Sequence, residues 1–307
     1  MAETVIPEPD IALQDTRRES LRGHLAMLLF SALVAGSFSL GSMAAPFVDP
    51  AALTTLRFVF AGTLVGVAAL ATTGIKRSAF AAPWRYLVLG VLLAFYFVLM
   101  FEGLKTAAPV SAAAVFTLTP LMAAGFGWLV LRQITTPRMA LALAIGAAGA
   151  AWVIFRADWN ALLNIHIGRG EWIYFWGCAA HAFYAPMVRK LNRGEPAVVF
   201  SFGVMVAGAL MLALWAWPAI IATDWAGMPA IVWITLAYVS IAASAVTFVL
   251  LQYAAMRLPS AKVMAYTYLT PSWVILWEIA LGRGVPPLGI LAGIAMTITA
   301  LYLLLEE

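Results

Sequence analysis

Residues 113–123 read AAVFTLTPLMA, and residues 264–274 read MAYTYLTPSWV. In each stretch a proline, Pro120 or Pro271, interrupts an apolar run, with Thr117, Thr119, Thr267 and Thr270 within a turn of it. The prolines are 151 positions apart (120 to 271), about half of the 307-residue chain. A proline inside an oily helix removes a backbone donor, kinks the helix and frees a carbonyl. In lipid that carbonyl must find a neighbour, a Ser/Thr hydroxyl or water in a cavity, and the threonines are donors placed to serve. Single prolines are common in membrane helices; two at equivalent positions favour a matched pair of hinges beside a central cavity.

The composition sets the class. Hydrophobic residues make up 64% of the chain and charged residues 10%, against about 25% charged in soluble globular proteins. Such a chain cannot cover a water-facing surface, so it reads as an integral membrane protein. The lone Cys178 excludes an internal disulfide and a cysteine metal cluster. The net charge of +4 is spread over short connections, which gives no nucleic-acid partner. The first 20 or so residues are polar, and the apolar run after them is long enough to span rather than to be cleaved.

A crossing takes about 20 mostly apolar residues. Ten runs qualify, near 24–44, 51–73, 84–104, 109–131, 138–155, 170–188, 197–217, 229–254, 260–281 and 286–305. With the N-terminus in the cytoplasm, the outer connections hold only Lys105, Arg156, Arg169 and Arg283. Arg57 lies inside a span, and the remaining Lys and Arg of the total of 18 fall on the inner side. Both termini are then cytoplasmic.

The 151-residue shift lays Leu118–Pro120 on Leu269–Pro271 and Arg132 on Arg283. A five-helix unit crosses an odd number of times, so a second copy enters from the opposite side. The expected fold is all-α and polytopic, with ten transmembrane helices in two inverted-topology repeats. Residues 1–22 form a cytoplasmic tail, 23–155 the first repeat, 156–169 an outer loop and 170–307 the second repeat. Inverted pairs build alternating-access transporters with the site near the midplane between them.

Polar groups within spans mark candidate contacts. On the sixth span Tyr174, Gly177, His181 and Tyr184 share one helical face. His181 either lines a cavity or bonds a neighbouring carbonyl as packing. Arg57, about 10 Å in from the helix end at 1.5 Å per residue, either binds a substrate carboxylate with its planar fork or pairs with Glu278 or Glu102. Ser240, Ser244 and Thr247 form a hydroxyl stripe on the eighth span, and Tyr266, Thr270 and Trp273 one on the ninth; such stripes also serve as helix–helix glue.

With these residues identified, the chain resembles the drug/metabolite transporter superfamily, in its ten-helix branch with two EamA-type repeats. The resemblance lies in LRFVFAG (56–62), GLKTAAPVSAAAVFTLTPLMAAGFGWLVL (103–131) and YAAMRLPSAKVMAYTYLTPSWVILWEIALG (253–282). The turns after the fourth and ninth spans, LRQITTP and LGRGVPP, lack the glutamate that family members often carry there. Within the family the chain is most similar to aromatic amino-acid exporters of the YddG type. That resemblance implies substrate contacts at Tyr96, at Thr117 and Thr119, and at His181.

The sequence contains no phosphate loop, HExxH motif, acidic pair or catalytic triad candidate, so neither catalytic residues, metal nor cofactor is expected. The expected function is export of small metabolites, foremost aromatic amino acids, across the inner (plasma) membrane, by a monomer embedded in the lipid bilayer. Tyr96, Thr117, Thr119, His181, Tyr184, Arg57, Tyr266 and Thr270 would contact substrate, with Pro120 and Pro271 as hinges. A broad carrier that also takes cationic drugs and a membrane enzyme acting on a lipid-linked substrate are the alternatives. With so few buried acids, substrate is expected to move down its own gradient or by exchange.

Overall fold

The computed structural model describes residues 9–155, 157–160, 167–284 and 287–305. Residues 1–8 of the expected tail, and Arg156 and 161–166 of the expected outer loop, lie outside the described residues. Every regular element among the described residues is helical. The helices are α1 (Pro9–Ala44), α2 (Pro50–Thr72), α3 (Trp84–Leu104), α4 (Pro109–Phe116), α5 (Thr119–Leu131), α6 (Pro137–Ile154) and α7 (Arg169–Leu191). There follow α8 (Ala197–Trp215), α9 (Trp217–Ala222), α10 (Ala230–Ser240), α11 (Thr247–Ala255), α12 (Ser260–Ala265), α13 (Thr270–Ala280) and α14 (Ile290–Leu305).

Among the described residues, seven helical segments are long and apolar enough to cross a membrane: Glu19–Ala44, Pro50–Thr72, Trp84–Leu104, Pro109–Leu131, Pro137–Ile154, Ala197–Trp215 and Ala230–Ala255. The other expected spans are also helical. They are α7 with charged ends, the pair α12 and α13 joined through a turn at Tyr266–Leu269, and the 16-residue α14. Residues 9–22, read from sequence as tail, continue the first helix, which reaches 36 residues, or about 54 Å at 1.5 Å per residue. No breaker stands between Asp10 and Arg22, and Glu19 ties this turn to Arg22 at 2.8 Å and to Arg257 at 2.6 Å.

Helix starts follow the punctuation of the sequence. Asp49 caps α2 by accepting from the Ala51 and Ala52 amides, with Pro50 in the first turn, where its missing N–H costs nothing. Thr136 caps α6 in the same way ahead of Pro137.

The two proline stretches are breaks, not bends in continuous helices. Pro120 stands in the first turn of α5 and would have donated to the carbonyl of Phe116. Thr119 Oγ1 donates to that carbonyl at 2.7 Å instead, while Thr117 Oγ1 takes the Ala114 carbonyl at 2.6 Å. At the second break the carbonyl freed by Pro271 belongs to Thr267, and the chain meets it with a 3₁₀ turn whose Thr270 N–H donates to it. The two breaks touch: Thr119 Oγ1 and Thr267 Oγ1 lie 3.0 Å apart.

A third irregularity has no sequence signature. Between α10 and α11 residues Ile241–Val246 form a π-helical turn. Such a turn carries more backbone than the α-ladder pairs, so one of its carbonyls must look elsewhere.

Packing repeats along the chain. α3 packs on α7, and α11 on α1; α5 packs on α7, and α13 on α1; α5 packs on α12, and α13 on α4; α2 packs on α8 and α6 on α14. Each contact becomes its partner, or itself, under the 151-residue shift. Glycines allow the closest approaches. A Cβ at Gly149 on α6 would stand 2.7 Å from the Gly293 carbonyl of α14, and one at Gly293 the same distance from the Gly149 carbonyl. Large apolar side chains such as Leu70, Leu129 and Leu214 line the outer surface, while Ser, Thr and two arginines lie inside.

One of those arginines, Arg85 at the start of α3, locks an end of the bundle. It donates to Glu195 Oε1 and the Leu191 carbonyl at 2.6 Å each and to the Ala82 and Ala79 carbonyls at 3.2 and 3.3 Å. Burial pushes the Glu195 carboxyl up, but the Arg85 guanidinium and the Arg193 backbone N–H outweigh it, so its pKa falls below the ordinary value. Glu195→Ala would leave a buried charge uncompensated, expected to cost about 3–5 kcal/mol, and Arg85→Met added to it should recover most of the loss. Thermal unfolding in detergent measures both. Because the folded pKa is depressed, this stabilisation is full above about pH 4.3, the unfolded glutamate value, and should fade as pH drops through the folded one.

Candidate functional site

Arg57 on α2 is fully buried. Unlike Arg85, it has no carboxylate partner among the described residues: Glu278 sits 3.6 Å from Arg283, and Glu102 pairs with Lys105 at 2.6 Å. Instead Arg57 reaches the π-turn of the other half of the chain. Its Nε donates to Ser244 Oγ at 2.5 Å and its Nη2 to the Ala243 carbonyl at 2.6 Å. The surplus carbonyl of the π-turn is thereby satisfied by a side chain. The guanidinium also lies 3.5 Å above the Phe97 ring centroid, a contact worth about 2 kcal/mol when desolvated. Its Nη1 is buried without a hydrogen-bond partner.

Rings surround this group. His181 on α7 stacks on Tyr96 of α3 with centroids 4.4 Å apart and on Phe30 of α1 at 6.4 Å, and lies tilted against Phe116 at the end of α4 at 5.3 Å. Phe97 and Phe248 are stacked at 5.8 Å and nearly parallel. Tyr174 donates to the Tyr96 hydroxyl at 3.1 Å.

Arg57, His181 and Tyr96 share one small void with Phe30, Val34, Ser37, Phe97, Met100, Ala243, Thr247, Phe248 and Leu251. Eight of these twelve form four couples under the 151-residue shift: Phe30 with His181, Tyr96 with Thr247, Phe97 with Phe248 and Met100 with Leu251. The void therefore sits where equivalent surfaces of the two halves meet. Its polar groups break the equivalence, since Arg57 corresponds to Gly208 and Ser37 to Val188. The void measures about 10 Å³, at the lower limit of what holds one water. It is closed to anything the size of an amino acid.

Of the residues singled out from sequence, Arg57, Tyr96 and His181 come together at the void. Tyr184 stands one step away, its ring 6.4 Å from that of His181 and its hydroxyl bonded by Gln252 Nε2. Thr117 and Thr119 are engaged at the first break. Tyr266 lies 6.0 Å from His24, and Thr270 at the second break; neither lines the void. Ser37, Phe97 and Thr247 escaped the sequence reading as void-lining groups. Thr247 belonged to the hydroxyl stripe of the eighth span, and applying the 151-residue shift to Tyr96 points straight at it.

Comparison with known proteins agrees with this architecture. The EamA-like transporter family matches residues 21–155 and again 168–306. A protein of Bacillus subtilis (strain 168) described as "Uncharacterized transporter YyaM" is 27% identical over 191 residues, 62% of this chain and 63% of that protein. A solved structure described only as "Crystal structure of protein" superposes with a TM-score of 0.70 at 23% identity, over 94% of this chain and 96% of that one. Matched twice in succession over most of its length, the chain belongs to the EamA-like transporter family and is a multi-pass membrane protein.

Proposed function

We propose that the chain is an inner-membrane exporter of small carboxylated metabolites with an apolar or aromatic side chain, aromatic amino acids foremost. It crosses the membrane ten times as two inverted repeats, 23–155 and 170–307, with both termini cytoplasmic. The observation that carries this reading is Arg57. A buried guanidinium that keeps one nitrogen unbonded, at a void lined by rings and equivalent surfaces of both halves, is placed to receive an anionic group. A purely structural arginine in this same chain is saturated, as Arg85 is by Glu195 and three carbonyls.

The mechanism is alternating access. The void fits an occluded stage, and substrate enters when the halves part about the breaks at Pro120 and Pro271. Those breaks meet at Thr119 and Thr267 and have few backbone bonds to lose. The uncompensated charge of Arg57 repels cations, which disfavours cationic drugs as cargo.

Three measurements test this. In proteoliposome counterflow, Arg57→Ala should lower the preference for L-phenylalanine over phenethylamine at least tenfold, about 1.4 kcal/mol; an equal loss for both would make the arginine structural. Among the described residues no carboxylate lines the void, so an imposed pH gradient should leave exchange nearly unchanged, and proton-driven accumulation would overturn the uncoupled mechanism. After replacing Cys178, single cysteines placed at each terminus should react with impermeant reagents only from the cytoplasmic side; labelling from opposite sides would end the inverted-repeat reading.

A further inference from the structure

Many hydroxyls on these helices donate to a carbonyl three or four residues back. Ser31, Thr54, Thr55, Thr63, Thr72, Thr297 and Thr299 all do so at 2.6–2.8 Å. Ser37 on α1 and Thr247 on α11 do not. Both are 1% exposed, and their oxygens have no partner. Nδ1 of His181, a residue 2% exposed, is likewise unpartnered. Unpartnered hydroxyls occur elsewhere, at Ser39 and Ser201 for instance. Among the described residues, Ser37, His181 and Thr247, from α1, α7 and α11, line one void together with Arg57, whose Nη1 is also unpartnered.

The chemistry of the set is asymmetric. Arg57 Nη1 can only donate. Two hydroxyl oxygens and the Nδ1 of a neutral imidazole protonated on Nε2 can all accept. An ammonium group has three N–H donors and needs three acceptors; a carboxylate needs a donor. We infer that the void is the recognition point for the ammonium and carboxylate of an α-amino acid. Ser37, Thr247 and His181 take the ammonium and Arg57 the carboxylate. The inference rests on the carrier reading above and adds to it the ammonium subsite. Because the counterparts of Arg57 and Ser37 are Gly208 and Val188, the headgroup binds in one orientation although the surrounding rings are nearly equivalent.

Counterflow competition with two matched pairs tests the subsite: L-phenylalanine against 3-phenylpropionate, and L-leucine against 4-methylpentanoate. Each pair differs only in the ammonium group. The wild-type protein should bind the amino acid of its preferred pair at least tenfold more tightly than the des-amino acid. Thr247→Val and Ser37→Ala, monodisperse on size exclusion, should each cut that ratio severalfold while affinity for the des-amino acid stays the same. Equal competition within both pairs in the wild type, or an unchanged ratio in both variants, would reduce the unpartnered atoms to a packing defect and overturn the inference, leaving the carboxylate carrier intact. If none of the four compounds competes, the carrier reading fails first and the subsite with it.

Discussion

A backbone carbonyl stripped of its helical partner cannot be left bare inside a membrane, and this constraint organises the bundle. Among the places where the described chain breaks its ladder, three are resolved in different ways. Beside Pro120 a threonine hydroxyl takes the carbonyl of Phe116. Beside Pro271 the backbone tightens into a 3₁₀ turn. In the π-turn at Ile241–Val246 the Ala243 carbonyl is taken by Arg57 from the other half of the chain. The first two solutions are local. The third spends a charged side chain on a distant carbonyl, and so brings a cation to the centre of an apolar protein.

The position of that cation gives the centre its character. Phe97 and Phe248, Tyr96 and Thr247, Phe30 and His181, and Met100 and Leu251 meet across the void as equivalents, much as the helices that carry them pack as equivalents. Rings supply an apolar, polarizable lining with no preferred end. Arg57 and Ser37, which lack polar counterparts, supply the preferred end. A floor shared by both halves is what the proposed rocking of one half against the other needs, and a one-sided polar end is what the proposed headgroup recognition needs.

Much of this was legible in the sequence. The LTP pair, the 151-residue offset and the expected spans give the helices nearly as they are, because proline, glycine and charge punctuate membrane helices strongly. Arg57, Tyr96 and His181 stood out because a polar group in a span needs a reason. Other features were hidden. Arg85 reads as a loop cation because it lies one residue inside α3, and only the fold reveals Leu191 and Glu195 around it. Carboxylate partners for Arg57 were the natural expectation from charge alone. The π-turn that replaces them is written in IAASAV (241–246), a run of small residues with no distinguishing pattern. Tyr266, Thr270 and Trp273 form one stripe in sequence terms, but a 3₁₀ turn at Tyr266–Leu269 interrupts the helical spacing and none of the three lines the void.

The π-turn also bears on how such a chain can change over generations. Its surplus residue is tolerable only while Arg57 occupies the spare carbonyl, and Arg57 is tolerable only while that carbonyl and Ser244 receive it. Neither can be discarded first without leaving an orphan. A descendant that trades the arginine for an apolar residue should shorten this helical stretch by one position at the same stroke, so a single-residue deletion near 241–246 becomes the trace of a lineage that has lost the arginine.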